Sequence, residues 1–142
     1  AGDIRIVNEL LGYNYRAEGK IVSGRQLGRT IGFPTLNLPW NPELKPKFGV
    51  YVVQAKRAGD SDWVKGVANY GMRPTVNEDK TLPLLETHLF ETVDWKPQDG
   101  LFVEWLAFLR PEKRFDNIDQ LKANIHADLK AAKDWFGDAM QP

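Results

Sequence analysis

The chain has 142 residues, no net charge at pH 7 and no cysteine. This length suits one ordinary domain with its own core, and 42% hydrophobic with 27% charged residues is typical of a globular protein rather than a disordered one. The charge balance disfavours a dedicated nucleic-acid-binding protein, and the lack of cysteine excludes disulfides and thiol catalysis. The longest apolar run, Trp105 to Leu109, is far shorter than the roughly 18 residues that span a bilayer, so we expect a cytoplasmic protein without a membrane partner.

The first two thirds of the chain predict one helix followed by strands. Ile4, Val7 and Leu11 recur at helical spacing, which predicts a short amphipathic helix over 3–11. From about residue 16, short apolar or alternating segments are separated by Gly, Pro, Asn and Asp, which is typical of antiparallel strands in a small barrel or sandwich. The predicted strands are 17–23, 49–57, 62–70, 84–90 and 101–109, and residues 58–62 have the composition of a hairpin turn.

The end of the chain predicts a second helix. Its apolar stripe follows i, i+3 and i+4 spacing and consists of Ile118, Leu121, Ile125, Leu129, Ala132 and Phe136. Asp116 or Asn117 is expected to cap the start of this helix, and Gly137 is expected to end it. We therefore expect a helical linker over 1–15 and one barrel domain with a C-terminal helix over 16–142.

The stretch from Gly19 to Pro42 contains no acidic residue but holds three cations and four glycines. Glycines let backbone N–H groups approach a ligand closely, and without carboxylates the negative charge of that ligand is unopposed. The stretch is therefore typical of a polyphosphate-binding loop, although a glycine-rich hairpin with solvated cations fits the same composition. It is not a Walker A loop, because Arg25 and Gln26 stand where Lys and Ser or Thr are required, and it contains no G-x-G-x-x-G.

Thr35 and Asn37 form the second unusual feature. They lie two residues apart, so in an extended segment both side chains face the same side. A hydroxyl and an amide oxygen are acceptable ligands for Mg²⁺ when substrate phosphates supply the negative charge. The same P-T-x-N sequence also fits a turn with side-chain to backbone hydrogen bonds.

Glu86 lies in the middle of a predicted strand, where an acid is unfavourable unless something requires it. Alternation places Leu84, Glu86 and His88 on one face of that strand. A carboxylate there could accept the proton of an attacking hydroxyl, with His88 orienting it; the alternative is a solvent-facing strand residue. Arg110, just before the C-terminal helix, fits either an ion pair that closes the barrel or a ligand-binding cation.

Taken in this order, these segments resemble the riboflavin kinase family. The resemblance covers about residues 17–133 and implies a six-stranded antiparallel Greek-key β-barrel with a C-terminal helix. It rests on six ordered blocks: Gly19-x-Ile21-x-x-Gly24, Gly28-Arg29-x-x-Gly32-Phe33-Pro34-Thr35-x-Asn37, Phe48-Gly49-Val50-Tyr51, Asn69-x-Gly71-x-x-Pro74-Thr75, Glu86-x-His88 and Leu109-Arg110-x-Glu112-x-x-Phe115.

The resemblance implies an activity and a role for each candidate residue. The activity is transfer of the γ-phosphoryl group of ATP to the 5′-hydroxyl of riboflavin, which gives FMN and ADP. Thr35 and Asn37 would ligate Mg²⁺, Glu86 would be the general base, and Arg110 would lie at the flavin side. The implied nucleotide-binding residues are Gly24, Gly28, Arg29, Gly32 and Asn69.

Two features depart from the family. Leu36 stands where the metal motif usually has alanine, and we expect its side chain to point away from the metal. The segment 91–100, ETVDWKPQDG, replaces an acidic stretch that ends in Asp-x-Tyr-Gly. Either Trp95 replaces the tyrosine there, or this flap works differently.

The segment before the barrel resembles the joint in bifunctional bacterial enzymes, in which an FMN adenylyltransferase module precedes this domain. We expect that module to be missing from this chain, so that FMN and not FAD is its product. Two other classes of protein remain as alternatives. One is a catalytically inactive flavin- or nucleotide-binding β-barrel, and the other is an RNA-binding barrel, which zero net charge disfavours.

Overall fold

The computed structural model describes residues 4–22, 35–74 and 81–139. The elements in chain order are α1 (Ile4–Leu11), β1 (Tyr15–Lys20), β2 (Leu36–Pro39), β3 (Gly49–Arg57), β4 (Val64–Pro74), β5 (Thr81–Leu89), β6 (Gly100–Arg110) and α2 (Ile118–Ala139).

The six strands form one antiparallel sheet in the order β1-β6-β3-β4-β5-β2. The sheet nearly closes on itself, because Val22, just beyond β1, bridges to Asn37 in β2. The backbone N–H of Val22 donates to the carbonyl oxygen of Asn37 at 2.9 Å. The predicted six-stranded antiparallel barrel with a short N-terminal helix and a C-terminal helix is confirmed.

The interior of the barrel is an aromatic core. The rings of Tyr51 and Tyr70 meet Trp105 edge-on, with centroids 4.7 and 5.2 Å from it, and all three side chains are fully buried. The hydroxyl of Tyr70 donates to the carbonyl oxygen of Trp40 at 2.6 Å. Burial, with a smaller contribution from Tyr15, raises the pKa of Tyr70 to about 12. The phenol therefore stays neutral inside the barrel at any physiological pH.

A second, smaller core lies between the outer wall of the barrel and α2. Successive strand residues point to opposite faces, so Val50 and Val52 of β3 face outward toward Ala132 and Phe136 of α2, while their neighbours fill the interior. The predicted cap of this helix is confirmed at Asn117, whose side-chain oxygen accepts a hydrogen bond from the backbone N–H of residue 120 at 2.9 Å. Helix α2 is thus fixed against the barrel wall.

The structure differs from the sequence-based expectations at two places. Strand β2, Leu36–Pro39, was not among the predicted strands, and Gly137 does not end α2, which continues to Ala139. A glycine costs a helix only about 1 kcal/mol. The buried ring of Phe136, which packs edge-on to Phe90 with centroids 5.9 Å apart, holds this last turn in place.

The predicted hairpin turn over 58–62 is confirmed between β3 and β4. The backbone N–H of Asp60 donates to the carbonyl oxygen of Arg57 at 3.0 Å. Gly59 has a φ of +94°, a conformation that suits a residue without a Cβ. Among the helices of the described residues, none combines the length and apolar character needed to cross a membrane.

Candidate active site

A row of side chains crosses the outer wall of the barrel beneath α2. The Cα pairing connects five strands, from β2 through β5, β4 and β3 to β6. Residues directly opposite each other in antiparallel strands point to the same face, so each strand adds one side chain to this row. We call it the site row, and its members in order are Asn37, Glu86, Asn69, Val50 and Arg110. Four of these five residues were predicted as site residues from separate sequence blocks.

A cavity of about 220 Å³ lies between the site row and α2. Its walls contain aliphatic side chains from the barrel and from α2, together with many polar groups. Such a lining suits a ligand with one apolar end and one polar end. The predicted shared face of Glu86 and His88 is confirmed, because both line the cavity while Leu85 and Thr87 are buried on the other side of β5. The polar lining residues are Thr35, Asn69, Arg73, Glu86, His88, Arg110, Lys113, Asn124 and Asp128.

Glu86 is held by an arginine that sequence reasoning did not identify. Arg73 Nε donates to Glu86 Oε1 at 2.6 Å, and Arg73 Nη2 donates to Glu112 Oε1 at 2.8 Å. Burial alone would lower the pKa of Arg73, but the two carboxylates outweigh that effect and raise the pKa above its ordinary value. Arg73 therefore stays charged and bridges the two acids. This contact uses Oε1 of Glu86 and does not involve the other carboxylate oxygen.

Arg110 forms an ion pair, which is one of the two interpretations of this residue that the sequence offered. Its Nε and Nη2 donate to the two carboxylate oxygens of Asp128 at 2.8 and 2.7 Å, and its Nη1 donates to the carbonyl oxygen of Pro111. The paired side chains are only 17% and 12% exposed. This bidentate pair joins the end of β6 to the middle of α2 and so sets the width of the cavity.

Thr35 and Asn37 lie at the β2 end of the site. Thr35 lines the cavity, and Asn37 is 6% exposed and directly opposite Glu86. Leu36 packs into the barrel core on the opposite face, as expected for a side chain that points away from a metal. A hydroxyl, an amide oxygen and a carboxylate are oxygen ligands of the kind Mg²⁺ accepts, so these residues fit that ion. Within the described ranges, no three His, Asp or Glu side chains cluster so that they could hold a metal by themselves.

The side-chain oxygen of Asn69 is a further polar atom of the site row. It is buried and has no hydrogen-bond partner in the described part of the chain. An unpaired buried oxygen costs about 1–3 kcal/mol, which a ligand that donates a hydrogen bond would offset. Asn69 lies beside Glu86 on the side of the row that leads to Arg110.

The remaining nucleotide-binding predictions lie outside the described residues. They concern Gly24, Gly28, Arg29 and Gly32, and they stay predictions. In the segment 91–100, Trp95 packs partly buried against the barrel core, and the cavity beneath α2 is lined by other residues.

A barrel that gathers a carboxylate, amides and arginines around a cavity under one helix has the arrangement expected of an enzyme for a small ligand. Comparison with known proteins narrows this class. The family model described as "Flavokinase: Riboflavin kinase" matches residues 11–136. The chain belongs to the riboflavin kinase family.

Relatives with curated names agree with this assignment. The bifunctional riboflavin kinase/FMN adenylyltransferases of Haemophilus influenzae and Escherichia coli are 39% and 37% identical to this chain over 94% and 95% of its length. The chain spans 42% of the length of each of these two relatives. The predicted resemblance to the kinase module of bifunctional enzymes is confirmed.

A solved structure gives the same fold. The crystal structure of a macrolide-efflux protein from Streptococcus pneumoniae matches with a TM-score of 0.81 and 30% identity, over 94% of this chain and 43% of that one. The efflux function in that name belongs to that protein, because a shared fold does not carry an activity with it.

Proposed function

We propose that this chain transfers the γ-phosphoryl group of ATP to the 5′-hydroxyl of riboflavin and releases FMN and ADP. The observation that carries the proposal is the placement of Glu86. It lies second in the site row, between Asn37 and Asn69, and lines the cavity with one carboxylate oxygen held by Arg73 at 2.6 Å. A carboxylate fixed in this way beside a ligand cavity can act as a general base.

In the proposed reaction the riboflavin hydroxyl donates its proton to the second carboxylate oxygen of Glu86. The hydroxyl oxygen then bonds to the γ-phosphorus, and the bond from that phosphorus to the β,γ-bridging oxygen breaks, which leaves ADP. Phosphoryl transfer depends mainly on positioning and charge stabilisation. A rigid barrel wall that fixes one side chain per strand suits that requirement.

Thr35 and Asn37 would hold Mg²⁺, which neutralises phosphate charge when it is bound. Their place at the β2 end supports a position of the phosphates on the Asn37 side of Glu86. The 24–32 loop, with Gly24, Gly28, Arg29 and Gly32, would cover the nucleotide, as the family resemblance implies. Asn69 remains proposed as a nucleotide-binding residue on the ground of the resemblance alone, since in the site row it lies on the Arg110 side of Glu86.

The flavin would enter between the barrel wall and α2. Val50 and Val67 on the wall and Leu121 and Ile125 on α2 give that part of the cavity an apolar lining. A flat aromatic ring system matches such a lining, and the polar row below it matches a chain of hydroxyls. Arg110 would act here by holding α2 in place through Asp128.

The alternative is a flavin- or nucleotide-binding barrel without catalysis. The same cavity would then bind its ligand, and Glu86 would serve only its ion pair with Arg73. No nucleic-acid partner is proposed, because the chain has no net charge. We place the proposed reaction in the cytoplasm, where ATP is available.

The test is chromatography of flavins after the protein has been incubated with riboflavin, ATP and Mg²⁺. We expect FMN, and no FAD, to accumulate only when both ATP and the metal are present. If riboflavin stays unconverted while its fluorescence changes on titration with the protein, the binding barrel is correct and the kinase proposal is wrong.

A further inference from the structure

Arg73 stands out because every nitrogen of its guanidinium group is engaged. Nε donates to Glu86, Nη2 donates to Glu112, and Nη1 donates to the backbone carbonyl of Met72 at 2.8 Å. Three of its five N–H donors are thus used within the protein, and two of these three bind carboxylates. The geometry therefore directs Arg73 to the protein's own carboxylates.

We propose that Arg73, clamped by Glu112, is a positioning residue that fixes the carboxylate of Glu86 for proton transfer. This inference rests on the proposed function, since it assigns Arg73 a role through the proposed base. Glu112 lies in the connection between β6 and α2, whereas Glu86 and Arg73 lie on β5 and β4. The clamp thus ties the base to a segment beyond its own pair of strands.

Gly71 shows that the fold makes room for this clamp. A Cβ atom at position 71 would collide with the carboxylate group of Glu112. Any other residue at position 71 would push Glu112 away from Arg73. Residues 69, 71 and 73 alternate onto the same face of β4, so the glycine leaves a gap between Asn69 and Arg73 that Glu112 fills.

The rigidity of the planar guanidinium makes it suited to this task. Its nitrogens are fixed relative to one another, so fixing Nη2 on Glu112 also fixes Nε on Glu86. Both acids and the arginine are between 27% and 30% exposed, so the contacts are partly shielded from water. A free glutamate on a strand would sample several rotamers, and only some would direct its oxygen into the cavity.

The test compares steady-state FMN formation by Arg73→Met, Arg73→Lys, Glu112→Gln and Gly71→Ala. Arg16→Met is the matched control, because Arg16 is also an arginine paired with a glutamate, on β1 and outside the cavity. Riboflavin binding by fluorescence and thermal unfolding are measured for each variant, so that kcat is expressed per folded molecule.

We expect Arg73→Met to lower kcat on the order of 30- to 100-fold, while KM and the Kd for riboflavin change by less than about threefold, because a misplaced base slows chemistry more than binding. Lysine keeps the charge with a single nitrogen, so Arg73→Lys should recover part of the loss. Glu112→Gln and Gly71→Ala should each lower kcat by roughly 3- to 10-fold, and Arg16→Met should leave it unchanged.

Several results would overturn the inference: a kcat of Arg73→Met within twofold of the parent, a parallel loss of riboflavin binding, or no recovery in Arg73→Lys. If Gly71→Ala does not fold, Glu112→Gln decides the role of the clamp. Failure of the proposed function is distinguishable, because then the parent protein forms no FMN.

Discussion

The two faces of the barrel wall differ in what they do with polar groups. On the inner face, the polar parts of large aromatic side chains are neutral, and the hydroxyl of Tyr70 donates to the carbonyl oxygen of Trp40. On the outer face beneath α2, charged groups pair across elements, as Arg110 does with Asp128. The same strands build both faces by simple alternation. Stability and chemistry are therefore carried by neighbouring residues that point in opposite directions, and substitutions should separate the two properties.

The largest expected effect comes from the carboxylate of the site row. Glu86→Gln keeps the shape of the side chain but removes the proton acceptor, so turnover should fall by about 10²–10⁴-fold with little change in riboflavin binding. Steady-state FMN formation and a fluorescence titration measure the two quantities. Glu18→Gln, at an exposed position of β1, is the control. Near-normal turnover of Glu86→Gln would remove this residue as the base.

The opposite behaviour, a loss of stability with little change in riboflavin binding, is expected for a residue on the inner face of the barrel wall. Trp105→Ala removes the ring on which Tyr15, Tyr51 and Tyr70 converge, and should lower the free energy of unfolding by about 3–5 kcal/mol. Urea denaturation measures this loss. At a temperature where the variant is folded, its KM for riboflavin should stay within a few-fold of the parent. A stable variant with a specific loss of riboflavin binding would contradict the separation of the two faces.

A smaller effect tests the β2 end of the site row. Asn37→Ala removes one proposed oxygen ligand of Mg²⁺, so the concentration of Mg²⁺ that gives half-maximal activity should rise on the order of tenfold. Asn14→Ala removes an amide that contacts Glu104 elsewhere on the barrel and serves as the control. An unchanged Mg²⁺ titration in Asn37→Ala would exclude this ligand assignment.

The smallest effect is a pH dependence of the free energy of unfolding, which comes from a tyrosine on the inner face. Because the pKa of Tyr70 is raised from 10.0 to about 12 in the folded protein, folding favours the protonated phenol. Its contribution to stability is fully present below pH 10 and is lost as the pH rises toward 12. Tyr70→Phe should therefore lose less stability than the parent between pH 10 and 12 in urea denaturation. Parallel losses in the two proteins would show that Tyr70 does not titrate in this way.

Much of the fold could be predicted because alternation and helical spacing are local signals. The exceptions have physical reasons. Strand β2 has only four residues and ends in proline, too few for an alternating pattern to stand out. Gly137 carries the usual signal for a helix end, but packing of the neighbouring Phe136 outweighs the low helix propensity of glycine.

The site was only partly predictable, because its parts meet through strand register. Alternation correctly grouped Glu86 with His88. Arg73 follows Asn69 by four residues in the same strand, so alternation places both side chains on one face. This spacing was an available signal. No local sequence pattern indicates that Asp128 of α2 reaches Arg110 or that Glu112 reaches Arg73. Both pairs form only when segments that are distant in sequence pack together.

The site row also makes the register of the sheet a condition for activity. A slip of one residue between β4 and β5 would preserve most backbone hydrogen bonds, yet it would place Ala68 or Thr87 where Asn69 and Glu86 now stand. A barrel with that error would keep a similar content of strand and would show almost no change by circular dichroism. Its site row would be disrupted and the proposed turnover should be lost, so turnover would be a more stringent assay of correct folding than any measure of secondary structure.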